Sequence, residues 1–89
     1  MTTVDAIRAE ALFVSWLQAS ERPAPEQVRA VVATTLRGRG VRGCAAAVAE
    51  EFGDHPDRAV ARMGWALMAV SRAYPPPASS PARRPETAT

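Results

Sequence analysis

PDRAVARMGWALMAVSRAY, residues 56–74, carries the strongest helical pattern in this 89-residue chain. Its large apolar residues recur at steps of three and four, the spacing that places side chains on one face of an α-helix. These residues are Val60, Met63, Leu67, Val70 and Tyr74. The pattern predicts a helix over 56–74 with this face turned toward the core.

The opposite face of that predicted helix is cationic and aromatic. Its members at the same helical steps are Arg58, Arg62, Trp65 and Arg72. Arg and Trp are enriched at binding hot spots, so the face favours an anionic ligand or a protein partner. An alternative is a solvated face in which Trp65 packs against the first helix with an Arg stacked on it.

The flanking sequence predicts further helices and no strand. Pro25 and Pro56 suit the first turn of a helix, where the missing N–H is not needed. A mobile loop is predicted from three closely spaced glycines: Gly38, Gly40 and Gly43. The predicted helices span about 3–19, 25–37, 43–52 and 56–74. We therefore predict an all-α fold, a small three- to four-helix bundle of residues 3–74.

Residues 75–89, PPPASSPARRPETAT, are rich in proline and nearly devoid of large apolar side chains. Such a segment cannot bury enough apolar surface to offset the entropy of ordering, so we predict a disordered tail. The remaining domain is close to the lower size limit for folding alone, and dimerisation would help it.

Charge is balanced rather than strongly basic. All 11 basic residues are Arg, and the net charge of +2 is too small to indicate general nucleic-acid binding. Three arginines cluster in the predicted loop: Arg37, Arg39 and Arg42. Four acids follow them: Glu50, Glu51, Asp54 and Asp57. The absence of Lys and Asn also points to a GC-rich genome.

The reactive side chains are few. The single cysteine, Cys44, excludes an intramolecular disulfide, and we predict that it is buried core filler; a redox-sensing thiol is the alternative. The one histidine, His55, has no second ligand at metal spacing. No catalytic arrangement, phosphate loop or membrane-spanning run is present. We expect a cytoplasmic, non-enzymatic protein without cofactor or metal.

AAAVAEEFGDHPDRAVARM, residues 45–63, resembles a helix-turn-helix unit. Ala49 and Gly53 match the spacing of the small residue and the turn glycine in that family, which is known for DNA binding. The resemblance implies that Arg58 and Arg62 approach the major groove. It also implies phosphate contacts from the arginine loop. The same region looks like a group of short, uncharacterised actinomycete proteins.

Two functions follow as hypotheses. The first is a small regulator with a helix-turn-helix-like core that binds DNA as a homodimer, through Arg58 and Arg62 and the loop arginines. The second is a protein–protein adaptor without nucleic-acid binding. Its contact face would consist of Trp65 with the three arginines around it, joined by Trp16 from the first helix.

Overall fold

The computed structural model describes residues 3–76, which form three α-helices and one short 3₁₀ helix. Helix α1 spans Thr3–Val14, the 3₁₀ helix Ala19–Glu21, α2 Pro25–Asp54 and α3 Pro56–Ala73. None of the described residues lies in a β-strand. The predicted all-α class is therefore confirmed. The predicted tail, beyond Pro76, lies outside the described residues.

The three α-helices form one core, because each of them packs against the other two. Its largest fully buried side chains are Leu12, Leu17, Val28, Cys44 and Val70. An aromatic stack between Phe13 and Phe52, with ring centroids 6.0 Å apart, ties α1 to α2. The core thus draws on all three helices and on Leu17 in the connection after α1.

Helix α1 is shorter than predicted, since it ends at Val14 rather than near residue 19. The Ser15 hydroxyl donates a hydrogen bond of 2.7 Å to the Leu12 carbonyl. Short hydroxyl side chains compete in this way with the helical pattern and favour helix ends. The chain then leaves the helix, so Trp16 lies in the connection and is 68% exposed.

Helix α2 replaces two predicted helices and the loop between them. Only Gly40 departs from helical geometry, with φ 76° and ψ 167°, so the interruption is a kink of one residue instead of a loop over 38–42. Gly53 is helical too, and α2 continues to Asp54. A single residue, His55, separates α2 from α3.

Helix α3 has nearly the predicted extent, but its buried face is rotated relative to the predicted one. Val70 is buried and Met63, Leu67 and Tyr74 pack partly against the core. Ala59, Ala66 and Ala73 are buried together with Val70, whereas Val60 is 64% exposed. Alanines at these positions allow the neighbouring helices to approach closely, and the helix turns its smallest side chains to the core. The prediction that Val60 belongs to the core is therefore wrong.

Candidate functional site

Arg62 does not lie on a solvent face, contrary to the prediction. Its guanidinium group reaches the end of α1, where Nε donates a 2.7 Å hydrogen bond to the Phe13 carbonyl. Nη2 lies within hydrogen-bonding distance of three more carbonyls: Leu12 at 3.3 Å, Ser15 at 3.0 Å and Leu17 at 2.9 Å. The side chain caps α1 from another helix.

The electrostatics of this cap explain why a cation occupies it. The last carbonyls of a helix lack intrahelical partners and form the negative end of the helix dipole. Helix α1 has no basic residue in its own last turn. Burial lowers the pKa of Arg62, and the nearby charge of Glu51 opposes that shift. Arginine nonetheless stays charged in proteins, so the cap is a cation.

Trp65 is half-buried and packs against the core. The Cζ atom of Arg62 lies 5.0 Å from the centroid of its ring, a cation–π distance. The alternative prediction had Trp65 packed against the first helix with an Arg stacked on it. The stacked Arg is present, and Trp65 packs against the shared core. The exposed edge of the indole remains available for contact with a ligand.

That edge borders a groove of about 310 Å³ between α3 and the connection that precedes α2. We call it the Trp65 groove. Its main lining residues are Arg22, Pro23, Val28, Trp65, Met68 and Arg72. Both arginines are exposed, whereas Val28 is buried at its floor. The groove thus combines an apolar floor and an indole with two cations.

Arg58 belongs to a different region of the surface. It lines a second cleft, of about 530 Å³, together with Arg39, Glu50 and Glu51. This cleft mixes charges of both signs, so it is not a purely cationic surface. The predicted set of residues is therefore divided: Trp65 and Arg72 share one groove, and Arg58 lies at another.

The remaining predicted site residues, Arg37, Arg39 and Arg42, are all exposed. They lie within α2 on both sides of the Gly40 kink, and not in a loop. Arg37 also donates a long hydrogen bond of 3.4 Å to the Thr34 hydroxyl. Helical backbone holds these three side chains at defined positions.

Two arginines, Arg29 and Arg8, make contacts between elements that the sequence did not predict. Arg29 of α2 donates a 2.9 Å hydrogen bond to the carbonyl of Ala73, the last residue of α3. Arg8 lies over the Tyr74 ring, 3.8 Å from its centroid. Arg22 and Met68 of the Trp65 groove were missed as well. A signal existed for Arg22, because Pro23 and Pro25 follow it and restrict the backbone of the short connection.

Cys44 is buried, as predicted for core filler. Burial raises the pKa of its thiol, and the positive charge of Arg39 only partly opposes this. A raised pKa suppresses the reactive thiolate. Among residues 3–76 no group of three or more potential metal ligands occurs. No helix in the same range is long and apolar enough to cross a membrane.

Comparison with known proteins places the chain in no family. No protein-family model, no curated protein and no solved structure matches it. Functional inference therefore rests on the surface geometry described above.

Proposed function

We propose that this chain is a small, non-enzymatic, cytoplasmic interaction module that binds a protein segment in the Trp65 groove. The observation that carries the proposal is that Trp65 and Met68 line this groove together with two exposed arginines, Arg22 and Arg72. The segment that fits such a site has an apolar anchor residue next to a carboxylate.

The chemistry of the groove supports a peptide ligand. Trp and Arg are the side chains most enriched at interface hot spots, and Met adapts its shape to different apolar partners. The volume of about 310 Å³ is near the lower end of the range for small-molecule sites. Such a groove accommodates one or two side chains of a peptide rather than a large cofactor.

Selection from a random peptide display library tests this function. We expect enriched peptides to contain an apolar residue beside Asp or Glu. Binding is measured by Trp65 fluorescence in a Trp16→Phe background, since Trp16 and Trp65 are the chain's only tryptophans. Peptide binding should change the emission of the remaining indole as its exposed edge leaves water.

A matched pair of variants locates the binding site. Arg22→Glu reverses a charge at the groove, and Arg37→Glu makes the same change at an exposed position away from it. We expect Arg22→Glu to weaken binding by about tenfold or more, and Arg37→Glu to change it little. Failure to enrich any peptide would contradict the proposal. So would equal binding by Arg22→Glu and the parent protein.

DNA binding is a second candidate, supported by the exposure of Arg37, Arg39 and Arg42 on one stretch of α2. In this proposal, these residues contact phosphates and Arg58 approaches the groove, as the helix-turn-helix resemblance implies. Arg62 is committed to the α1 cap and is left out. Titration of labelled duplex DNA at about 50 mM and 200 mM salt is the test, because phosphate contacts weaken steeply over that range. No binding at the lower salt would eliminate this candidate.

A further inference from the structure

The outward face of α3 is apolar along most of its length. At about 100° per residue, seven residues fall within one arc on the side away from the buried alanines. Five are apolar or glycine, namely Val60, Ala61, Gly64, Leu67 and Met68, and the other two are Asp57 and Ser71. Leu67 lies at the edge of this arc and also packs partly against the core. Val60 is 64% exposed and Met68 57%, so the two large exposed apolar side chains of α3 lie here. We call this surface the outer face of α3.

Gly64 lies at the centre of the outer face. A Cβ atom built on it would meet nothing within 4 Å, so no contact inside the chain requires a glycine. Glycine also weakens a helix interior relative to alanine. A glycine flanked by large apolar side chains leaves a gap that the backbone of another helix can enter. The feature therefore fits a partner from outside the chain.

We propose that the outer face of α3 binds the same face of a second copy of this chain, with the two helices antiparallel and crossing at Gly64. A two-fold interface requires a surface that is complementary to itself. In this register Val60 meets Leu67 of the second copy on one side of the crossing. Ala61 meets Met68 of the second copy on the other side, so a small residue faces a large one.

Charge complementarity selects the antiparallel arrangement. Asp57 and Arg72 lie near opposite ends of α3, are both exposed, and form no ion pair with any of the described residues. Both project from the same side of the outer face as Met68. The antiparallel register brings Asp57 of each copy beside Arg72 of the other. A parallel arrangement would instead bring like charges together.

The size of the domain also favours a second copy as the occupant. A domain of this length buries a modest fraction of its surface, and association is one of the ways in which small domains gain stability. The proposed interface shares Met68 and Arg72 with the Trp65 groove, so a peptide bound there would compete with the second copy. Arg22 lies outside the outer face, so Arg22→Glu should leave self-association unchanged even where it abolishes peptide binding.

Sedimentation velocity of the full chain over a concentration series tests the proposal. We expect reversible dimers with a submillimolar dissociation constant. Gly64→Gln should raise that constant at least tenfold while leaving the monomer fold intact, because Gln favours helix more than Gly does. Gly53→Gln is the matched control, since Gly53 is also helical and unobstructed but lies on α2. A monomeric parent protein, or equal dimerisation of Gly64→Gln, overturns the proposal.

Charge reversal tests the register. Asp57→Arg alone and Arg72→Asp alone should each dimerise poorly, because like charges then face each other at both ends of the interface. An equimolar mixture of the two variants should recover dimers, since every facing pair in the mixed dimer is of opposite charge. A mixture that dimerises no better than its components overturns the antiparallel register.

Discussion

Replacement of Arg62 by Met is the sharpest test of the helix cap. Methionine keeps the apolar stem of the side chain but removes every donor. Hydrogen bonds to charged groups contribute about 1.5–3 kcal/mol each. Two of the four contacts, to Phe13 at 2.7 Å and to Leu17 at 2.9 Å, are short. The Leu12 carbonyl lies farther from Arg62, at 3.3 Å, and also accepts a hydrogen bond from the Ser15 hydroxyl. It therefore keeps a partner when Arg62 is replaced.

The expected loss of stability is smaller than the summed contributions of these hydrogen bonds, because removing Arg62 also removes the free-energy cost of desolvating its charge. We expect Arg62→Met to lower the free energy of unfolding by about 2–4 kcal/mol. For a domain of this size the loss corresponds to a decrease in Tm of roughly 10–25 °C. Urea denaturation followed by far-ultraviolet circular dichroism measures the change.

Arg58→Met is the matched control, because Arg58 is exposed, lies one turn earlier on α3 and loses the same charge. We expect it to change stability by no more than about 0.5 kcal/mol. Arg62→Lys should recover only part of the loss, since one ammonium group cannot reach all four carbonyls. If Arg62→Met is no less stable than Arg58→Met, the guanidinium group does not hold the end of α1.

Three further predictions concern the backbone, the thiol and the end of α3. Gly40→Ala should lower the free energy of unfolding by about 1–3 kcal/mol because φ is positive there, whereas Gly38→Ala, helical and unobstructed, should raise it by about 0.5–1 kcal/mol. Urea denaturation measures both changes in the free energy of unfolding. Changes of opposite sign confirm the single-residue kink, and changes of the same sign contradict it. Cys44 should react with a thiol reagent at least about tenfold more slowly in buffer than in urea, since burial raises its pKa; equal rates would place it at the surface. Arg29→Met should lower stability by about 1–2 kcal/mol through loss of its hydrogen bond to the Ala73 carbonyl, and an unchanged midpoint in the same denaturation would show that this contact is not stabilising.

Local sequence determined the helical class and most helix starts. Pro25 and Pro56 each occupy the first turn of a helix, as predicted, because an N–H is not needed there. Gly40 was correctly identified as part of a break, although the break is a single residue. Cys44 was predicted to be core, and it is buried. Each of these features depends on the residue itself or on its immediate neighbours.

The candidate site was only partly predictable. Helical spacing correctly placed Trp65 and Arg72 near each other, and they share one groove. The pattern gave no indication that Arg22, more than forty residues away in the sequence, lies at the same groove. A groove between separate elements is formed by packing, and its residues do not follow a local period.

The rotation of α3 and the contacts of Arg62 depend on how the helices pack in the folded chain. A helical period identifies the residues that share a face, but the neighbouring helices select which face is buried. Here they pack onto Ala59 and Ala66 and leave Val60 exposed, because small side chains permit close approach. The carbonyls that Arg62 binds lie 45 to 50 residues away in the sequence. The sequence therefore determined that residues 56–73 are helical, whereas the end of α1, which becomes its neighbour only on folding, determined that Arg62 points inward.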